Sequence, residues 1–423
     1  MIALNLIRNE KERVLQGLQK KHFTAIHLVD EILTLDEVRK TTQKQMDDLL
    51  AQQNVAAKQI GGLMKEGKKA EAEAIKLQVA EWKASTETLK TELAQTEQKQ
   101  FDLLVLLPNI PSQLVPNGRT PEDNEVIYTV PELPTLSSTA KPHWELTEQY
   151  GLIDFELGVK LTGAGFPVYT NKGARLQRGL INFFLDRATA AGYVEMMPPL
   201  LVNADSGFGT GQLPDKEGQM YHATVDDFYL IPTAEVPLTN IYRDVILKEE
   251  QFPIKMCGYT PCFRREAGSY GKDVRGLNRL HQFDKVEIVQ FEHPDKSYNT
   301  LETMVKHVEG LLKELELPYR ILRLCGGDMS FASALTYDFE VWSAAQQRWL
   351  EVSSTSNFES FQTNRMKTRF KDSSGKMQLA HTLNGSALAL PRIVAALLEN
   401  NQTASGIRLP KAIHSFVGME IIN

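Results

Sequence analysis

Apolar residues recur at alternating spacings of four and three along two long stretches near the start of the chain. The first stretch covers residues 28–63 and the second covers residues 75–103, and no proline interrupts either. This heptad spacing predicts two long helices that pack along a common seam. Glycines at 61, 62 and 67 separate the stretches, so we expect a short turn there and an antiparallel helical hairpin.

The hairpin pattern predicts a helical arm over residues 1–110, with its tip near residues 61–69. Five lysines and three glutamates lie between positions 58 and 76, which suits phosphate contact about as well as it suits a solvated helix surface. Residues 111–142 are rich in Pro, Ser and Thr and are predicted to be a linker with one short strand. Residues 143–423 are predicted to form a separate domain.

The second domain mixes helical spacing with strands of alternating polarity. Helices are predicted at 174–191, 301–317 and 387–400, and paired strands at 336–342 and 348–354. Because hairpins rather than βα units join the strands, the fold class predicted is α+β with an antiparallel sheet. No Gly-x-Gly-x-x-Gly motif follows a strand, so a dinucleotide-binding fold lacks its marker.

Charged residues are dense in a predicted strand–loop–strand hairpin between Thr260 and Phe291. Guanidinium groups pair bidentately with oxyanions, so this density suits a polyphosphate ligand better than a merely solvated hairpin. Buried-type residues such as Phe263 and Phe283 interleave the charges. The hairpin holds four arginines, with two glutamates predicted on its strands: Arg264, Arg265, Arg275, Arg279, Glu266 and Glu287.

Three further segments place polar side chains at predicted strand or helix ends. Thr233–Glu235 follows a strand, and Glu351–Ser354 closes one. Asn384–Ser386 is predicted to open the last helix, where free N–H groups and the helix dipole favour anions. Each segment alone has an ordinary structural explanation, but their recurrence in one domain favours a site.

Bulk properties restrict the class of protein. The chain has 423 residues, a net charge of −6 and three cysteines without disulfide-framework spacing, which favours a reducing compartment. No secretory signal or bilayer-spanning apolar run is present, so we expect a cytoplasmic protein without a membrane partner.

These residues resemble the class II aminoacyl-tRNA synthetases in their seryl-tRNA synthetase form, of bacterial type. TPCFRREAGSYG and RGLNRLHQFDKVE resemble motif 2, LNGSALALPRIVAALLEN resembles motif 3, and the helix and strand before Pro199 resemble motif 1. PTAE and EVSSTSNF resemble further signatures, and the helical hairpin is similar to that family's tRNA-binding arm. Motif 3 departs from the family at Ala387 and Pro391, where glycine is more frequent.

The resemblance implies a class II catalytic domain that uses ATP and Mg²⁺ to join L-serine to tRNA(Ser) through seryl-adenylate. It also implies a homodimer and selenocysteine tRNA as a further acceptor. Catalytic roles fall to Arg264 on the α-phosphate and the serine carboxylate, Arg392 on the γ-phosphate, and Glu351. Glu351 and Ser354 are candidate ligands of ATP-bound magnesium, with no tightly bound metal expected.

The resemblance assigns the remaining roles by residue. Glu266 and Phe283 are expected to hold the adenine, and either Glu235 or Glu287 pairs with the ammonium group of serine. The serine pocket comprises Thr233, Ala234, Glu235, Glu287, Asn384 and Ser386. The ATP set comprises Arg264, Arg265, Glu266, Phe283, Arg279, Glu351, Val352, Ser353, Ser354 and Arg392. From their place in or beside the predicted hairpin loop, Arg265, Arg275 and Lys272 are expected to contact the tRNA acceptor stem.

Two other functions compete with this interpretation. A related ligase could charge a carrier protein instead of tRNA, but such relatives lack the long arm. A catalytically inactive RNA-binding or coiled-coil scaffold would be expected to lose motif residues, and Arg264, Glu351 and Arg392 are all present.

Overall fold

The computed structural model describes residues 1–136, 139–215, 218–267 and 275–423. The chain divides into two compact units, each described here by itself. The helical unit comprises Ile2–Gln19 and Phe23–Pro108, and the sheet unit comprises Met1, Lys20–His22 and Asn109–Asn423. Within the described ranges, no helix has the length and apolarity needed to cross a membrane.

Thirteen α-helices occur in the described residues. They are α1 (Leu4–Asn9), α2 (Lys11–Lys20), α3 (Leu28–Lys65), α4 (Lys69–Leu106), α5 (His143–Gln149), α6 (Phe155–Leu161), α7 (Asn171–Ala190), α8 (Ala204–Thr210), α9 (Glu235–Asn240), α10 (Ser297–Glu314), α11 (Phe361–Met366), α12 (Leu390–Asn400) and α13 (His414–Val417).

The strands of the described residues follow in chain order. They are β1 (Glu125–Thr129), β2 (Ile153–Asp154), β3 (Val168–Tyr169), β4 (Val194–Glu195), β5 (Leu201–Val202), β6 (His222–Ala223), β7 (Phe228–Leu230), β8 (Ile246–Lys248), β9 (Ile254–Phe263), β10 (Gln282–Glu292), β11 (Tyr319–Arg323), β12 (Leu335–Ser343), β13 (Arg348–Glu359), β14 (Arg369–Lys371), β15 (Met377–Leu379), β16 (His381–Ala389), β17 (Gln402–Thr403), β18 (Gly406–Arg408) and β19 (Ile421–Ile422).

The helical unit is dominated by α3 and α4, which pack against each other as the heptad spacing predicts. Each has 38 residues, a length of about 57 Å at the α-helical rise. Polar positions in the seam bond across it: Gln53 donates to Thr86 Oγ1 at 2.9 Å, and Gln100 donates to the Ile32 carbonyl at 3.0 Å. Gly67 makes the turn with a φ of +77°, which a residue with a side chain adopts only at a cost.

The sheet unit is built on an eight-stranded sheet in the order β1-β11-β12-β13-β16-β10-β9-β4. Every pairing in it is antiparallel except that of β4 with β9, so the predicted α+β class and antiparallel sheet are confirmed. The segment 111–142, predicted as a linker, supplies β1 at one edge of this sheet. Part of this segment therefore belongs to the sheet instead of only linking the two units.

Three amphipathic helices bury their apolar residues in one cluster with this sheet. Phe183 and Phe184 of α7, Leu312 of α10 and Leu397 of α12 are all fully or almost fully buried there. Such burial stabilises the unit by about 1.5–3 kcal/mol for each large apolar side chain. The cluster fixes the central strands, and β10, β13 and β16 carry half of the predicted serine-binding and ATP-binding residues.

Motif 3 is folded differently from its predicted form. Residues 384–386 lie in the central strand β16, and the helix predicted from Ala387 begins only at Leu390. The prediction that Asn384–Ser386 forms a helix N-terminal anion site is therefore wrong. β16 pairs with β10 on one side and β13 on the other, and these hydrogen bonds outweigh the local helical tendency. Pro391 lies in the first turn of α12, where its missing N–H is tolerated.

Candidate active site

The central strand β10 carries charged side chains into the interior of the sheet unit. Val286 and Ile288 join the apolar core, while the alternate residues Lys285 and Glu287 have side-chain exposures of only 7% and 1%. Lys285 Nζ forms an ion pair with Glu287 Oε2 and donates to Thr233 Oγ1 at 2.8 Å. Buried charges are costly unless they are paired and hydrogen-bonded. The pairing of Lys285 with Glu287 and Thr233 therefore makes this face of β10 a preorganised polar site.

A second buried carboxylate, Glu235, lies at the start of α9. Its Oε1 accepts a hydrogen bond from Gln362 Nε2 at 2.6 Å, and its carboxylate also bonds the side chain of Asn384. Burial, and then repulsion from Glu287, raises the pKa of Glu235 to about 7. No lysine or arginine in the described ranges forms an ion pair with it. A carboxylate held in this way is suited to receive a cation.

Two polar atoms at the same place lack partners. Glu287 Oε1 and Asn384 Oδ1 are buried and form no hydrogen bond within the described part of the chain. Ser386 lies directly opposite Glu287 in the β10–β16 register, and Asn384 is two residues before it on the same face. Unpartnered buried polar atoms are costly, so this group indicates a bound ligand with hydrogen-bonding groups.

Arg264 lies beside this pocket, immediately after β9. Its backbone N–H donates to His281 at 2.9 Å, and its Nε donates to the carbonyl of Pro232 at 3.3 Å, one residue before Thr233. Its guanidinium carbon is 5.2 Å from the centre of the Phe283 ring. The two terminal guanidinium nitrogens form no hydrogen bond to any described residue, so their charge is available to an anion.

The other charged residues of the hairpin have different surroundings. Glu266, predicted on a strand, lies beyond the end of β9 with a φ of 48°, and it accepts from Arg279 Nη1 at 3.1 Å. Arg265 bonds Gln219 through its backbone. The Arg275 guanidinium stacks 4.6 Å from the Trp144 ring centre, and Lys272 lies outside the described residues.

A bulge in β13 brings Glu351 and Ser354 to one face. The register with β12 shifts between Phe339 and Glu340, which leaves Val352 unpaired. Glu351 and Ser354 are three residues apart in the chain, and a regular strand would place them on opposite faces. With the bulge, Ser354 Oγ lies 3.5 Å from Glu351 Oε1. Val352 and Ser353 are buried, and Ser353 Oγ donates to the Ser386 carbonyl at 2.6 Å. The bulge therefore exposes Glu351 and ties β13 to the pocket.

Asp338 lies opposite Ser354 in the neighbouring strand β12. It is buried, and its Oδ1 has no hydrogen-bond partner in the described ranges. Burial, and then repulsion from Glu351, holds the pKa of the Asp338 carboxyl well above its ordinary value. Two carboxylates that repel each other beside a hydroxyl favour a divalent cation.

Arg392, in the first turn of α12, reaches the same region. Its Nη1 donates to the Glu351 carbonyl at 2.6 Å, and its Nε donates to the Asn278 carbonyl at 3.0 Å. The start of α12 at Leu390 thus aims this arginine across β13 and towards the end of the motif 2 hairpin. The structure thus places Arg264 beside the buried carboxylates and amides, and it places Arg392 beside Glu351 and Ser354.

Comparison with known proteins shows the family of the chain. Residues 1–111 match the model of the seryl-tRNA synthetase N-terminal domain, and residues 220–401 match the class II tRNA synthetase core domain (G, H, P, S and T). The serine–tRNA ligase of Salinibacter ruber is 52% identical over 420 residues, which cover 99% of this chain and 98% of that protein. The chain belongs to the seryl-tRNA synthetase family. It is therefore an enzyme, a ligase of the class II aminoacyl-tRNA synthetases.

Other members of the seryl-tRNA synthetase family match over their whole length. The serine–tRNA ligase of Methylacidiphilum infernorum is 46% identical over 427 residues, covering both chains completely. The crystal structure of seryl-tRNA synthetase from Pyrococcus horikoshii, solved in complex with ATP, has a TM-score of 0.94 at 33% identity. It covers 100% of this chain and 99% of that chain.

Three residues of the site, Lys285, Asp338 and Gln362, are not among the predicted site residues. Lys285 was detectable, because it shares the polar face of β10 with Glu287. Asp338 was detectable in the same way, on the polar face of the predicted strand 336–342. Gln362, on α11, follows no motif, and its contact with Glu235 is made only by the folded chain.

Replacing Glu235 by Gln is expected to stabilise the protein at pH 8 by an amount on the order of 2 kcal/mol, and far less at pH 5. The folded-state pKa near 7 exceeds the ordinary value of 4.5, so the buried carboxyl lowers stability as pH rises through 7. Gln retains the oxygen that accepts from Gln362. Thermal melting at both pH values measures the effect. Glu250→Gln, in an exposed turn, is the control, and a Glu235→Gln variant less stable at pH 8 would contradict the prediction.

Proposed function

We propose that this chain joins L-serine to tRNA(Ser) in the cytoplasm, using ATP and a seryl-adenylate intermediate. The observation that carries the proposal is the pocket between β10, β16 and α9. It combines two buried carboxylates with unpartnered acceptors at Glu287 and Asn384, and Arg264 lies at its side. The family of the chain supports the same reaction class.

The charges in the pocket distinguish the two carboxylates. Glu287 already pairs with Lys285, whereas Glu235 has only amide donors from Gln362 and Asn384. Glu235 is therefore proposed to bind the serine ammonium, because a cation relieves its uncompensated charge. Glu287 Oε1 is proposed to accept from the serine hydroxyl. Thr233, Ala234, Asn384 and Ser386 complete this proposed pocket.

ATP is proposed to bind between Arg264 and Arg392. Arg264 would bridge the α-phosphate and the serine carboxylate, and Arg392 the γ-phosphate. Phe283 would stack on the adenine, with Glu266, Arg279 and Arg265 around the base and phosphates. Val352 and Ser353, whose side chains are buried, would contribute only through their backbone.

The carboxylates of β12 and β13 fit a magnesium ion that arrives with ATP. Glu351 and Ser354 would be its protein ligands, and the unpartnered Oδ1 of Asp338 lies opposite Ser354. Bound there, the ion would neutralise negative charge on the phosphates. Repulsion between Asp338 and Glu351, which favours a proton on Asp338, would be relieved by this positive charge.

The first step needs positioning and charge neutralisation rather than a general base. The serine carboxylate is ionised at neutral pH and attacks the α-phosphorus, so that an O–P bond forms and the bond to pyrophosphate breaks. Arg264 would hold both reactants in line and stabilise the charge that develops. In the second step, the 3′-terminal hydroxyl of tRNA attacks the serine carbonyl and AMP leaves.

The unaltered protein is expected to catalyse pyrophosphate–ATP exchange that depends on serine. Arg264→Ala should lower the exchange rate by about 100-fold or more, the scale of losing one preorganised charge-stabilising donor. Exchange tested with all twenty amino acids should single out serine, since alanine would leave the acceptor at Glu287 unpaired.

A second arginine-to-alanine variant, away from the pocket, separates the effect of Arg264→Ala on exchange from a general loss of folded protein. Arg323→Ala removes a guanidinium on β11 that pairs with Glu125 on β1, and it should leave exchange within about twofold. Absence of serine-dependent exchange at saturating ATP would overturn the proposed function. Equal losses of exchange activity in Arg264→Ala and Arg323→Ala would show that Arg264 has no specific role in the reaction.

The helical arm is proposed to bind tRNA, which favours tRNA over a carrier protein as the acceptor. The lysines of its tip suit phosphate contact. Selenocysteine tRNA is proposed as a second acceptor, charged with serine in the same reaction. Charging assays with both tRNAs test the two acceptors separately.

Deleting Val38–Leu93 is expected to spare exchange and abolish charging of tRNA. Contacts of Gln53 with Thr86 and of Gln100 with Ile32 place residues near 37 and 94 at one level of the hairpin. A short glycine turn can therefore join them. Exchange serves as the internal control for folding, and unimpaired charging by the shortened protein would refute the role of the arm.

The protein is proposed to be a homodimer that associates through the edge at β4. This edge exposes Val194, 57% accessible, and Met197, 91% accessible, and an uncovered apolar edge strand invites pairing. Met197→Lys should shift the protein from dimer to monomer in light scattering. Val225→Lys, which changes a 95% accessible loop residue, should leave the mass unchanged. A monomeric unaltered protein would contradict the proposal.

A further inference from the structure

A buried carboxylate outside the pocket gathers hydrogen bonds from two distant parts of the sheet unit. Glu399, in the last turn of α12, is fully buried. Its Oε1 accepts from the backbone N–H of His143 at 2.9 Å, from His143 Nδ1 at 2.7 Å and from Gln346 Nε2 at 3.0 Å. Its Oε2 accepts from Ser343 Oγ. These donors satisfy the carboxylate, but apolar packing would stabilise the core at lower cost.

The other ring nitrogen of His143 points to the end of the motif 2 hairpin. His143 Nε2 accepts from the backbone N–H of Leu277 at 2.8 Å. Because Nδ1 donates to Glu399, Nε2 carries the lone pair that this contact needs. Gly276 packs so closely over the ring that a Cβ there would lie 2.2 Å from Nε2. The imidazole thus connects α12 to the backbone that follows the hairpin loop.

Asn278, the residue after Leu277, completes a ring of hydrogen bonds that also includes Gln346, Glu399 and Arg392. Asn278 Nδ2 donates to Gln346 Oε1 at 3.1 Å, and Gln346 in turn donates to Glu399. The carbonyl of Asn278 accepts from Arg392 Nε at 3.0 Å. Arg392 and Glu399 are seven residues apart, about two turns, and so lie on one side of α12. The ring therefore begins and ends on the helix that carries Arg392.

We propose that His143 is a positioning residue for Arg392 and, through it, for ATP. His143 and Gln346 hold residues 277–278 against α12, and the Asn278 carbonyl then sets the direction of the Arg392 guanidinium. This inference rests on the proposed function, in which Arg392 binds the γ-phosphate. Loss of His143 would release the Leu277 N–H and let the Asn278 carbonyl move away from Arg392.

His143→Phe keeps a planar aromatic ring, slightly larger than imidazole, but removes both side-chain hydrogen bonds. In the full-length protein, this change should raise the KM for ATP in the exchange reaction by about tenfold, the scale of losing one or two hydrogen bonds. The KM for serine should stay within twofold, because the serine pocket contains no member of the ring.

A double-variant experiment distinguishes positioning from general weakening. Arg392→Lys keeps a charge but loses the planar fork that the Asn278 carbonyl orients. If His143 acts through Arg392, adding His143→Phe to Arg392→Lys should raise the KM for ATP less than twofold further. A tenfold further rise would overturn the proposal, as would an unchanged KM for ATP in His143→Phe alone.

Two further variants guard against misfolding. His307→Phe removes a half-buried histidine whose buried Nε2 has no partner within the described ranges, and it should change neither KM. Gln346→Met removes the bridge between Asn278 and Glu399 at a partly exposed position and should give the same rise in the KM for ATP. If His143→Phe does not fold, an unchanged KM for ATP in Gln346→Met overturns the proposal. Failure of the proposed function would instead appear as no serine-dependent exchange in the unaltered protein.

Discussion

The sheet unit depends on keeping charged side chains buried at the centre of its largest sheet. Burial, and then repulsion from Glu287, raises the pKa of Glu235. Lys285 forms its ion pair with Glu287 and offsets the charge of Glu235 only in part. Each buried ion costs several kcal/mol unless neighbouring groups satisfy it. The apolar cluster on the other face of β10 supplies the stability that allows this arrangement, since Val286 and Ile288 alternate with the two charged residues.

This arrangement makes strand register part of the chemistry. Glu287 faces Ser386 only because β10 pairs with β16 in one register, and a slip of one residue would move the carboxylate to the apolar face. The bulge at Val352 has the opposite use, because it breaks regular alternation so that Glu351 and Ser354 share a face. The pairing of β10 with β16 also shifts register, between Lys285 and Glu287, so an irregularity borders the pocket as well as the Glu351 carboxylate.

Periodicity in the sequence was sufficient for the fold class and the two long arm helices. It was also sufficient for the hairpin of β9 and β10, because alternation and heptads are local signals. It failed at residues 384–389, where pairing with two neighbouring strands decides the conformation and a local pattern cannot show it. The site residues were chosen from motifs. Gln362, Gln346 and His143 could not be found in this way, because their partners lie more than 50 residues away in the chain.

The arginines differ in what holds them, and this difference decides which of them can serve a polyphosphate. Arg264 is held by the Pro232 carbonyl, and Arg392 by the carbonyls of Asn278 and Glu351. The Glu351 carboxylate is 3.9 Å from Arg392 Nη1, beyond hydrogen-bond distance, and so offsets the charge of Arg392 only weakly. A neutral carbonyl fixes the direction of a guanidinium without cancelling its charge, whereas a carboxylate does both. Arg279 is paired with Glu266 and is correspondingly neutralised. Carbonyl-held arginines are preorganised donors, so little reorganisation remains when an anion binds. Through its contact with Arg392, the buried ring of hydrogen bonds around Glu399 is therefore proposed to act on bound ATP without touching it.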